Sequence, residues 1–243
     1  MLQPLRDLGF DILARNHAMA ILTQDFPQEL GRITEALAGF RIPLAEVIGG
    51  GGGEARFTQR LRRTLTEAGW PKHVFHVQTI VDGIEREGIS HEIDHVCTAG
   101  AGTLALEIEW NNKDPFFDRD LENFQRLHAQ SAVSVGLVVT RGSTMQAAFA
   151  QRIEARLRAD GVTDEAGLAR YGIDERTGAQ RRAVARMTAA GAAFPEAFTR
   201  TFVASKFGQA TTHWAKLLAR VERGVGNPCP LLLLGLPATL LTD

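Results

Sequence analysis

Asp94, Glu107 and Glu109 are the residues whose types and spacing could do chemistry, and they fall in the stretch HEIDHVCTAGAGTLALEIEWNNKDPFFDRD, residues 91–120. Glu107 and Glu109 stand two apart in an alternating segment, so a strand places both on one face. A hairpin turning through Thr98–Gly102 sets Asp94 beside Glu107 on that face. Carboxylates held so close repel unless a cation lies between them. Asp94, Glu107 and the Ile108 carbonyl are donors that suit Mg2+, which takes one or two carboxylates and keeps several waters. Glu109 would then orient or deprotonate an attacking water. The competing reading is a solvated acidic edge; Leu104 and Leu106, on the opposite face, make the acidic face distinct.

A second motif overlaps the first. His91-Glu92-Ile93-Asp94-His95 matches H-E-x-x-H, which on a helix would bind zinc with Glu92 as general base, a zinc metallohydrolase. The context opposes a helix: Gly88 precedes it, TAGAG follows, and Ile89, Ile93 and Val96 favour a strand. In a strand the two histidines stand roughly 13 Å apart, too far to share an ion.

The elements that must position these groups follow from periodicity. Helical stripes are expected over 2–22, over 27–40 and, after the run Gly49–Gly53 and Glu54, through Phe57, Leu61 and Leu65. Residues 73–81 alternate as a strand closed by Asp82-Gly83; 103–110 read as a strand, 120–130 as a helix, and 132–139 as a strand buried on both faces. Helices are expected at 145–158, 164–170, 179–190 and 211–222, and a last core strand at 231–236. Strands alternating with helices imply an α/β fold with a central mixed sheet.

The chain has 243 residues and 44% hydrophobic content, enough for a packed core, and a formal net charge of -1. That balance excludes a protein that is basic throughout, and it hides a split. Residues 82–122 carry 3 basic and 11 acidic groups, whereas 123–243 carry 15 basic and 9 acidic. Such a pattern suits carboxylates around a hard cation with arginines for phosphate, or simply two solvated faces. Two cysteines imply no disulfide framework and fit a reducing cytoplasm; neither a secretory leader nor a run of 18 apolar residues is legible.

The pattern EIDHV…LALEIEWNNKDPFFDRDLENFQRLH…VSVGLVVTRG, with TTHWAKL…GNPCPLLLLG further on, resembles the BglII/BamHI-like branch of type II restriction endonucleases, within the PD-(D/E)XK superfamily. The resemblance is carried by residues 90–142 and 204–236. It implies a PD-(D/E)XK core, a central mixed sheet with helices on both sides, in a single domain over 1–243 whose catalytic core spans about 50–142 and whose recognition and remaining core elements span about 143–243. It implies Asp94 and Glu107 as the metal pair, Glu54 as a further metal-binding acid, and Glu109 at the position that is Lys in most of the superfamily and Glu or Gln in this branch. It implies Mg2+, one or two ions per site, and cleavage of double-stranded DNA at a short palindrome by a homodimer. A cognate DNA methyltransferase would act in parallel without stable contact, in the cytoplasm of a bacterium or archaeon.

Base and phosphate contacts need other residues. Asn111 and Asn112 follow the catalytic strand, and Lys113 is the nearest amine. Lys113, Arg119 and Arg141 are candidates for phosphate, and Arg141, with Ser143 in the loop after a buried strand, for guanine. Lys206, Gln209, Thr211, Thr212 and His213 lie near an expected helix start, which suits phosphate. A methyl-dependent or repair-type nuclease, or a silent DNA-binding protein on the same fold, are the alternatives from these residues.

Overall fold

The apolar and alternating segments between 95 and 141 and at 231–236 pair into one sheet. The structure, a computed structural model, describes residues 1–49, 53–174 and 176–243, without the side chains of Arg86 and Glu87. Gly50–Gly52, the middle of the glycine run expected to open a helix, therefore lie outside the described residues. In chain order the elements are α1 Gln3–Asp7, β1 Asp11–Arg15, α2 Ala18–Gln24, α3 Pro27–Gly39, β2 Ile42–Pro43, α4 Leu44–Ile48, α5 Arg56–Glu67, β3 His73–Val81, β4 Ile84–Ile93 and β5 His95–Ala99. They continue with β6 Gly102–Glu109, α6 Phe116–Ala129, β7 Val135–Arg141, α7 Ser143–Ala159, a 3-10 turn Ala166–Tyr171, α8 Gly178–Ala189, α9 Phe194–Lys206, α10 Trp214–Glu222, β8 Leu231–Leu236 and β9 Leu241–Thr242.

The central sheet has the order β1-β8-β7-β6-β5. β6, β7 and β8 run parallel, while β1 and β5 are antiparallel at the two edges, so the sheet is mixed as expected. Helices cover both faces. Leu104, Leu106, Val135, Leu137, Val139, Leu232 and Leu234 belong to one apolar cluster that includes α3, α5 and α7 residues such as Leu30, Leu61 and Phe149. Ala105, Val138, Leu231 and Leu233 belong to the other, with Phe117, Leu121 and Phe124 of α6 and Leu217 of α10. Gly136 lets α6 come this close: a Cβ there would lie 2.5 Å from the Phe124 ring.

Glu107 and Glu109 continue the face begun by Ala105, and so point to the α6 side. The fold thus lifts both carboxylates out of the apolar layer at the point where α6 begins.

Several expectations are corrected. Residues 2–22 are not one helix. Gly9 at φ 86° and the positive φ of Asn16 and His17 break it, and the middle becomes β1, paired with β8. The pairing supplies backbone bonds that helical periodicity in Leu5, Leu8 and Ile12 could not reveal. β5 runs to Ala99, tightening the turn to Gly100-Ala101. The segment at 166–171 is 3-10 rather than α, and α10 starts at Trp214, leaving Thr211 and Thr212 outside it. Helix α9, with Pro195 in its first turn, is an element the periodicity does not announce.

Candidate active site

Asp94 interrupts the long strand between β4 and β5, where the chain leaves the β3–β4 hairpin for the central sheet. His95 pairs with Leu106, so Asp94 falls opposite Glu107. The Asp94 N–H donates to Glu107 Oε2 at 3.3 Å, and the Ile108 N–H donates to Asp94 Oδ2 at 3.4 Å. Asp94, Glu107, Ile108 and Glu109 line a cleft of about 430 Å³ together with Arg62, Asn112 and Arg119. Glu54, ahead of α5, borders the adjoining cleft and is joined to the site through Arg62: Nε lies 2.8 Å from Glu54 Oε1, and Nη2 lies 2.5 Å from Asp94 Oδ1.

Asp120 completes the cluster, a residue that sequence reasoning misses. It is 0% exposed on α6, its Oδ1 accepts from Arg119 Nε at 2.8 Å and Nη2 at 2.6 Å, and its Oδ2 has no partner. Arg119 Nη2 also lies 3.7 Å from Glu109 Oε1, and Asn112 Nδ2 donates to Glu109 Oε2 at 2.8 Å. The signal that could have found Asp120 is its phase: it shares the buried stripe of α6 with Phe117, Leu121 and Phe124.

The electrostatics follow from this crowding. Burial, then the charges of Asp120 and Asp94, hold the Glu107 carboxyl well above the usual range. Burial and Asp120 push Glu109 up to about 9. Burial also raises Asp120, against the pull of Glu109 and Arg119. A positive charge in the cleft relieves all three.

The H-E-x-x-H reading fails on geometry. His91 lies in strand β4, Asp94 forms a bend, and His95 starts β5, so no helix carries both histidines on one face. Both are buried, and His95 Nδ1 donates to the Trp70 carbonyl at 2.7 Å.

The model of the family described as restriction endonuclease BglII/BglIII matches residues 10–236. The chain belongs to that family. It is a type II site-specific deoxyribonuclease acting on double-stranded DNA, and its mixed α/β architecture is that of the PD-(D/E)XK nucleases. A search of curated proteins returned no match. Among the described residues no helix is long and apolar enough to cross a membrane.

Restriction endonucleases of this kind use divalent metal ions. The cleft's donor set fits one: its acids Asp94, Glu107 and Glu109 are oxygen donors that repel one another, and the Asp120 carboxyl is packed against Glu109 beneath them. Among the described residues no group of three or more His, Cys, Asp or Glu side chains is placed to hold a metal ion, so an ion here would be held by a pair such as Asp94 and Glu107 together with water. Oxygen donors of this kind suit a hard ion held by carboxylates and water better than they suit zinc.

The DNA-facing candidates of this nuclease divide in two. Asn111, Asn112, Lys113 and Thr211 are brought together: the Thr212 N–H donates to the Asn112 carbonyl at 2.8 Å, and Lys113 bridges Thr211. Gln209 and Lys113 are exposed there, and Arg119 is exposed beside the carboxylates. The others are corrected. Arg141 is 0% exposed, with Nε on the Trp110 carbonyl at 2.6 Å, Nη1 on Gln146 Oε1 at 2.5 Å, and Nη2 on Thr211 Oγ1 at 2.7 Å and the Thr212 carbonyl at 2.5 Å. Its donors are spent inside the protein, so it pins the 208–213 segment rather than reading a base. Thr212 and His213 are buried beside it. Ser143 donates through N–H and Oγ to the Asp11 carboxylate, which occupies the start of α7. Lys206 points elsewhere, its Nζ donating to the carbonyls of Val47 and Gly49 at 3.0 Å each.

Proposed function

We propose that this enzyme is a Mg2+-dependent restriction endonuclease that cleaves double-stranded DNA at a short palindromic sequence as a homodimer. The observation that carries the reading is the convergence of Asp94, Glu107 and Glu109 in one oxygen-lined cleft at the end of β6, with Asp120 buried behind Glu109. Asp94, Glu107 and the Ile108 carbonyl would hold Mg2+, with Glu54 reaching a second ion. The ion, when bound, supplies stabilisation of charge on the reacting phosphate and on the leaving 3′ oxygen. With the ion's charge drawing the Glu109 carboxyl back to its ionised form, Glu109 would take the proton of the attacking water. Asn112 fixes Glu109 by its hydrogen bond, and Arg119 stands exposed at the rim, where its guanidinium meets phosphate. Asn111, Lys113 and Gln209 carry base or backbone contacts, whereas the Thr211 hydroxyl is already held between Arg141 and the Gly208 carbonyl. The whole of 1–243 acts as one nuclease domain, in the cytoplasm, alongside a cognate methyltransferase.

Run-off sequencing of plasmid ends tests this. Digestion with Mg2+ should give discrete fragments whose ends share one palindrome. A smear, or no cutting of unmodified DNA, would sink the simple restriction reading in favour of a repair-type or methyl-dependent nuclease.

A further inference from the structure

We propose that Arg62 is a built-in cation that holds Asp94 and Glu54 until a divalent ion takes its place, and so lowers the metal affinity of the site. The proposal rests on the reading of Asp94 as a metal ligand. Arg62 projects from α5 into the wall shared by the two adjoining clefts, one lined by Asp94, Glu107 and Glu109 and the other by Glu54. Its Nη2 is 2.5 Å from Asp94 Oδ1. The other oxygen of Asp94 meets the Ile108 N–H at 3.4 Å, so Arg62 takes up lone-pair sites on Asp94 for which an incoming ion competes. Its Nε is 2.8 Å from Glu54 Oε1, yet this buried N–H has no well-aligned acceptor. The contact with Glu54 is therefore one of charge more than of directed hydrogen bonding, and is readily surrendered. Arg62 and Glu54 are 36% and 33% exposed, so the guanidinium has open solvent into which to swing.

A tie that merely braces α5 against the sheet would predict the opposite sign on removal. Losing a brace loosens Asp94 and weakens metal binding. Losing a competitor strengthens it, because the ion no longer displaces a bound cation or meets its repulsion.

The test is calorimetric titration of the full chain with Ca2+, which takes the same oxygen donors, for the wild type and for Arg62→Gln, Arg62→Lys and Glu107→Ala. Arg62→Gln should bind Ca2+ about 1.5- to fivefold more tightly, the size of exposed ion-pair effects. Arg62→Lys keeps the charge without the fork, and should fall between the two. In thermal melts without added cation Arg62→Gln should be the less stable, and Ca2+ should raise its melting temperature by more than that of the wild type. Equal or weaker Ca2+ binding by Arg62→Gln would overturn the proposal and leave Arg62 a brace. If that variant does not fold, Arg62→Lys at or below wild-type affinity overturns it. If Glu107→Ala binds Ca2+ as the wild type does, the carboxylate site itself is wrong, and both readings fall together.

Discussion

At the end of β6, Glu109 is 2% exposed, and the carboxylates around it outnumber the cations that meet them. On the neighbouring strand, one residue past the partner of Glu109, Arg141 is 0% exposed and has no ion-pair partner among the described residues. The two buried charges are handled in opposite ways. Arg141 is solvated by four neutral oxygens and faces the rings of Phe207, Phe149 and Trp110 at 5.1, 5.8 and 5.9 Å. Burial pulls its pKa down to about 9, which still leaves it charged at neutrality. The acids are left crowded, with one Asp120 oxygen unpartnered. A buried charge whose polar neighbours are complete serves the architecture. One whose neighbours repel it is waiting for a ligand.

The largest effect should come from emptying the crowded side. Glu107→Ala should lower DNA cleavage by at least about 1,000-fold, since it removes a holder of the catalytic ion. Its melting temperature without added cation should hold or rise, because a repelling carboxylate is gone; a fall of several degrees would place Glu107 among the structural charges instead. On the satisfied side, Arg141→Ala should cost about 3 kcal/mol or more in denaturant unfolding, by orphaning the Trp110 and Thr212 carbonyls and opening a cavity. A neutral result there would dissolve the contrast.

A smaller effect separates Asp120 from ordinary core residues. Asp120→Asn keeps the shape and removes a like charge, so stability without cation should rise by ~1 kcal/mol while Ca2+ binding weakens about tenfold. Calorimetry and melts on the same preparation check both halves. The smallest effect is a control at a residue that belongs to neither cluster. Asp160 accepts from Arg156 Nε at 2.8 Å and from the Tyr171 hydroxyl, and these bonds hold its pKa below the usual range. Its contribution is thus present above the ordinary carboxylate range and lost as pH falls through the lowered folded value. Asp160→Asn should lose under about 1 kcal/mol at neutral pH, with the difference closing below about pH 4 and the Ca2+ response unchanged.

The same contrast marks what is legible in sequence. The face shared by Glu107 and Glu109 is legible because period-2 alternation is local, and Asp94 because a short turn fixes its register. Glu54 is legible by its place after the glycines, but its link to Asp94 runs through Arg62, an exposed-looking arginine on an amphipathic helix. Arg141 reads as a charge emerging from a buried strand. The carbonyls that enclose it come from residues 110 and 212, and only the fold brings them together. β1 is hidden for the same reason, since its partner β8 lies at the far end of the chain.

The most direct test of the central claim is plasmid digestion with Mg2+ by wild type and Glu107→Ala side by side, with circular dichroism to show both folded. Discrete fragments are expected from the wild type and intact plasmid from the variant. Fragments from Glu107→Ala at a near-normal rate would contradict that claim, and would move the catalytic centre away from the end of β6.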